Sequence, residues 1–161
     1  MGERNSEGRI ATLTRSIAMV VSAAMVFLAI AVSSREAAAQ DRLPRVAQGL
    51  LLFERNVLWE AVSVKWRGRR DGWITDVRAA STPRALAHDL VELETAMRWS
   101  SVEESWRRRR DSWIDEMKTA ETAGDVANGL LELEATTLWS AVSGDWRRLR
   151  DPWVARLKAI Q

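Results

Sequence analysis

Tryptophan stands at 59, 66 and 73, again at 99, 106 and 113, and again at 139, 146 and 153, which places all nine tryptophans on a lattice of seven inside forty. Ala47, Leu50, Glu54, Val62, Arg67, Arg70 and Asp71 also recur unchanged 40 and 80 residues later. A period of this length marks a repeated supersecondary unit that cannot bury its apolar face alone and needs sister units to do so. The units run over 42–81, 82–121 and 122–161.

The first half of each unit has helical periodicity. Leu86, Leu90, Leu93 and Met97 are spaced by four, three and four, and Val46, Leu50, Phe53 and Val57 repeat that spacing. The second set, Trp99, Val102, Trp106, Trp113 and Met117, falls on the opposite side of a continuous helix. The unit must therefore break, or touch different partners with its two halves.

Joints between units are marked by Ser81-Thr82-Pro83 and by Thr122-Ala123-Gly124-Asp125, each a cap followed by a helix start. A second break is expected inside each unit, where Asp71-Gly72, Asp111-Ser112 and Asp151-Pro152 correspond. Aspartate is a good N-cap, and Pro152 fits a first helical position but would cost about 3 kcal/mol in an interior. Arg107 to Arg110 would then form the basic last turn of the preceding helix. These signals predict an all-α fold of three tandem 40-residue repeats, each a helix of about 25 residues and one of about 9, packed as a small bundle or solenoid. An antiparallel bundle of three long helices is the alternative, with Pro152 against it. Gly68 and Gly144 are weak points inside the expected helices.

Residues 1–39 differ in kind. Arg4, Arg9 and Arg15 precede an uncharged apolar stretch from Ser16 to Ser34, and Ala37-Ala38-Ala39 follows. This is the three-part pattern of a secretory signal, with cleavage expected after Ala39; an uncleaved anchor over 16–34 is the rival. Either way the rest of the chain is expected on the far side of the inner membrane, periplasmic or secreted. Residues 1–39 hold four arginines and three glutamates, so of 24 basic and 22 acidic side chains 20 and 19 remain. A near-neutral domain argues against nucleic acid as partner. Without cysteine there is no disulfide framework or thiol nucleophile.

No nucleophile elbow, phosphate loop, zinc motif or calcium loop is present, so no cofactor, metal or small-molecule substrate is expected. His88 has Gln48 and Asn128 as its counterparts and reads as a surface position. Glu54, Glu94 and Glu134, like Asp71, Asp111 and Asp151, recur at one structural place and suit caps or ion pairs better than acid catalysis, which needs two different environments. The chain is therefore read as non-enzymatic.

Two residue sets are candidates for a site. The tryptophans are read as core; in the rival reading some rings face a groove, and Trp73, Trp113 and Trp153, just after the expected break, are then the candidates to be open. Arg67 and Arg70, Arg107 and Arg110, and Arg147 and Arg150 are three apart and share a helix face. They can glue units together through acids and indoles, or form an anion stripe. The sequence thus points to a protein-interaction or self-assembly module of the cell envelope, with an envelope protein or a second copy as partner. Binding of anionic lipid or envelope polymer through the Trp/Arg stripe, or a periplasmic holdase, are the alternatives.

Overall fold

The computed structural model describes residues 41–160, in which every regular element is a helix. The signal or anchor expected within residues 1–39 lies outside the described residues. Among the described residues no helix is long and apolar enough to cross a membrane. Six α-helices follow in order: α1 (Arg42–Asn56), α2 (Val64–Ala79), α3 (Pro83–Ala96), α4 (Glu104–Lys118), α5 (Ala123–Thr136) and α6 (Trp146–Lys158). Short 3-10 turns at Trp59–Ala61, Trp99–Ser101 and Trp139–Ala141 lie between α1 and α2, α3 and α4, and α5 and α6.

The odd-numbered helices touch one another and form the centre. Each even-numbered helix lies against the odd helix before it and the one after it, with α6 returning to α1. The inner positions follow the predicted leucine stripe: Val46, Leu50, Phe53, Leu86, Leu90, Leu93, Val126, Leu130 and Leu133 are fully buried. The outer helices contribute Trp66, Trp73, Trp106, Trp113, Trp146 and Trp153, all buried. Consecutive rings on one helix meet edge to face, with centroids 5.2, 5.3 and 5.1 Å apart, a geometry indoles favour. The spacing of seven returns each ring to nearly the same azimuth of the helix.

The caps at the joints form as the sequence predicts. The Thr82 hydroxyl accepts from the Ala85 N–H, with Pro83 at the first helical position. Thr122 and Asp125 form a reciprocal capping box, and these backbone hydrogen bonds hold the Asp125 carboxyl below its ordinary range.

The expected internal break is displaced. The chain turns at Val57–Ser63, Met97–Glu103 and Thr137–Ser143, and not at Asp71, Asp111 or Asp151. Each unit is therefore two helices of similar length in place of a long and a short one. The alternative of three long helices fails for the same reason. Pro152 lies inside α6. Its missing N–H and its ring cost helical stability there, and burial of Trp153 and Leu157 on the same helix opposes that cost.

The connectors hold one another. Ser63 N–H donates to Ala96 O and Arg98 N–H to Ala61 O, both at 2.8 Å; Glu103 N–H donates to Thr136 O at 2.8 Å and Leu138 N–H to Ser101 O at 2.9 Å. Ser143 N–H to Asn56 O (2.8 Å) and Leu58 N–H to Ala141 O (2.9 Å) join the last connector to the first. An open solenoid, whose ends do not meet, is therefore replaced by a bundle that closes on itself.

Candidate functional site

The connector end of the bundle carries its most exposed aromatic surface. Extended backbone at Leu58, Arg98 and Leu138 leads into each 3-10 turn. The first tryptophan of each unit opens that turn, and Trp59, Trp99 and Trp139 remain 45%, 48% and 51% exposed. Because the connectors are bonded to one another, the three indoles occupy one ring of backbone.

Each indole is paired with two guanidinium groups from the following helix. Arg67 and Arg70 lie 5.4 and 5.6 Å from the Trp59 ring centroid. Arg107 and Arg110 both lie 5.5 Å from Trp99, and Arg147 and Arg150 lie 5.5 and 5.9 Å from Trp139. The three-residue spacing puts both cations on the helix face that looks back at the connector, within cation–π range.

The two arginines of a pair differ. Arg70, Arg110 and Arg150 are half-buried, and their Nε atoms donate to Oε1 of the buried Glu54, Glu94 and Glu134 at 2.5, 2.7 and 2.5 Å. The same glutamates accept the indole N–H of Trp66, Trp106 and Trp146. The hydrogen bond to Glu54 raises the Arg70 pKa, and that to Glu134 raises that of Arg150. This salt bridge lies within one unit, 16 residues back, and does not reach the next unit as the sequence suggested. Arg67, Arg107 and Arg147 are exposed. Arg107 also meets Glu104 at 3.1 Å.

A cleft opens beside each indole. That of the first unit, about 250 Å³, is lined by Glu54, Val57, Trp59, Trp66 and Arg70 among others. The corresponding clefts at Trp99 and Trp139 measure about 130 and 50 Å³.

Trp73, Trp113 and Trp153, the candidates for open rings, are core residues, as the first reading of the tryptophans had it. They are buried, and their N–H groups donate to the backbone carbonyls of Asp89 (2.8 Å), Gly129 (3.1 Å) and Gly49 (2.9 Å) in a neighbouring odd helix. The reason is the displaced break: the tryptophan beside the turn is the first of the unit, not the third. The sequence signal that could have found it is the change of helical phase between Met97 and Trp99. Asp71, Asp111 and Asp151 are exposed residues inside helices and cap nothing.

A family model described as a domain of unknown function (DUF8799) matches residues 41–102, which span α1 to α3 and the turn that follows. No curated protein and no solved structure matches the chain.

Proposed function

We propose that this chain is an exported, non-enzymatic binding module, built as three tandem 40-residue units closed into a ring, whose connector end docks onto an anionic lipid surface. The observation that carries this reading is the placement of Trp59, Trp99 and Trp139 on one ring, half-exposed, each beside two arginines. Indoles favour the boundary between apolar and aqueous phases, and guanidinium groups pair with phosphate. Three equivalent contacts on one end can engage a planar array of head groups together, so weak single contacts multiply. End-to-end self-assembly finds no support in a bundle whose last helix packs on its first. A holdase needs an open apolar stripe, and six of the nine tryptophans are buried.

Co-flotation of the full chain with vesicles tests the reading. Residues 16–34 contribute a salt-independent background to every vesicle type. Above it, vesicles rich in phosphatidylglycerol should retain the chain at low salt and release it as screening grows, and phosphatidylcholine vesicles should show the background alone. Replacing Arg67, Arg107 and Arg147 together by Gln should remove the salt-sensitive part. Arg110→Gln is the wrong probe, because it strands the buried Glu94. Equal retention of the triple variant at every salt concentration overturns the proposal.

A further inference from the structure

We propose that His88, Asp89 and Glu92 on α3 bind one divalent transition-metal ion of the Zn²⁺ type. Their ligand atoms all lie within 4.8 Å of one another, and the His88 Nδ1 is 3.7 Å from Asp89 Oδ1. Tetrahedral ligands of a zinc ion sit on the order of 3–3.5 Å apart, so rotation of the exposed His88 and the half-buried Glu92 toward the buried Asp89 closes the set. One imidazole and two carboxylates suit a borderline-soft ion, and three protein ligands leave positions for water.

Asp89 is the residue that demands explanation. Its side chain is only 8% exposed, and its one charged neighbour within ion-pair distance is His88, itself a member of the trio. The counterparts of Asp89 are Gly49 and Gly129. At those glycines a Cβ would press on Leu157 at 3.0 Å, or on the Met117 side chain. The residue 40 positions before Met117 is the smaller Val77. One junction alone therefore combines a buried carboxylate with a reduced side chain on the facing helix. The complete trio also occurs once: the other units carry Gln48, Gly49 and Leu52, and Asn128, Gly129 and Glu132.

The local charge fits a dication. Arg69 holds Asp76 at 2.8 Å and Glu92 at 3.1 Å. Asp89, with a ligand oxygen within 4.8 Å of one on Glu92, adds a further carboxylate that Arg69 does not bind. Asp76 remains a partner for Arg69 if Glu92 turns toward an ion. A bound cation offsets the cost of burying the Asp89 carboxylate.

The test is a calorimetric titration of the untagged, chelator-stripped full chain with Zn²⁺ at about pH 7.5, repeated with Co²⁺ followed by its visible absorption. One saturable site per chain is expected, with Mg²⁺ and Ca²⁺ unable to compete. Asp89→Asn and His88→Gln should each weaken it by about tenfold or more. His88 is exposed and Gln stands at the matching Gln48, so that variant folds even if Asp89→Asn does not; circular dichroism checks both. Absence of saturable Zn²⁺ and Co²⁺ binding, or binding unchanged in His88→Gln, overturns the proposal. So does a site that Mg²⁺ or Ca²⁺ fills equally well.

Discussion

The α2–α3 and α4–α5 junctions make the same contact with different side chains. Trp73 donates to the carbonyl of Asp89, and Trp113 donates to the carbonyl of Gly129. Beside Gly129 lies Met117, so close that an added Cβ would collide with its thioether. Val77 stands where Met117 does, and Asp89 stands where Gly129 does. Nearby, Arg109 bridges Glu116 and Glu132 in the second junction, while Arg69 bridges Asp76 and Glu92 in the first, where Asp89 adds a further carboxylate. A third version, between α6 and α1, has Leu149, Arg156 and Leu52 at the matching charged positions, with Gly49 against Leu157. The comparison teaches that the indole-to-carbonyl bond sets the helix spacing. Side-chain volume then trades between the facing positions, and charge is free to vary around them.

The largest effect should come from removing what the junctions share. Trp73→Ala and Trp113→Ala should each cost about 4 kcal/mol in urea denaturation, through the cavity and the orphaned carbonyl. If one costs under half the other, the junctions are not equivalent. Exchanging what they do not share should cost somewhat less. Gly129→Asp forces a buried carboxylate against Met117 and should destabilise by about 3 kcal/mol. Adding Met117→Val should recover roughly 1 kcal/mol of that, read from a double-mutant cycle. Strict additivity would break the claim that volume is traded across the junction.

The smallest effect concerns charge, and its sign depends on pH. Asp89 has a folded-state pKa pushed up to about 6 from an ordinary 3.8. The protonated form is therefore favoured by folding. Its stabilising contribution is complete below pH 3.8 and is lost as pH rises through about 6. In chelator-treated buffer, Asp89→Asn should match the parent near about pH 3.5 and exceed it by about 2 kcal/mol at about pH 7.5. A gap that is independent of pH would show that the aspartate is solvated. Saturating Zn²⁺ should narrow the gap at the higher pH if the ion binds there.

Much of the fold was legible beforehand. The leucine stripe of each first half marked α1, α3 and α5, and it is fully buried along Leu86, Leu90 and Leu93. Thr82 with Pro83 and Thr122 with Asp125 marked where α3 and α5 begin. The connectors were misplaced because Val57-Leu58-Trp59, Met97-Arg98-Trp99 and Thr137-Leu138-Trp139 carry neither glycine nor proline. Asp71-Gly72 and Asp151-Pro152 looked like stops, yet both lie inside helices. The candidate arginines do surround an exposed indole, but the indole is the first of each unit, not the third. Asp89 and Glu92 were not among the candidate site residues because the sequence does not show which side of α3 faces Arg69.

By itself the sequence determined the all-helical class, the apolar stripe of α1, α3 and α5 and the caps at which α3 and α5 begin, since these depend on local spacing and local caps. The tertiary structure alone decided where each unit bends, because extended residues such as Leu58 and Arg98 gain backbone hydrogen bonds only from another connector. It also decided which indoles stay in contact with water. A seven-residue spacing assigns rings to one stripe, but whether a ring is covered depends on which helix lies across it, and that is a property of the closed bundle.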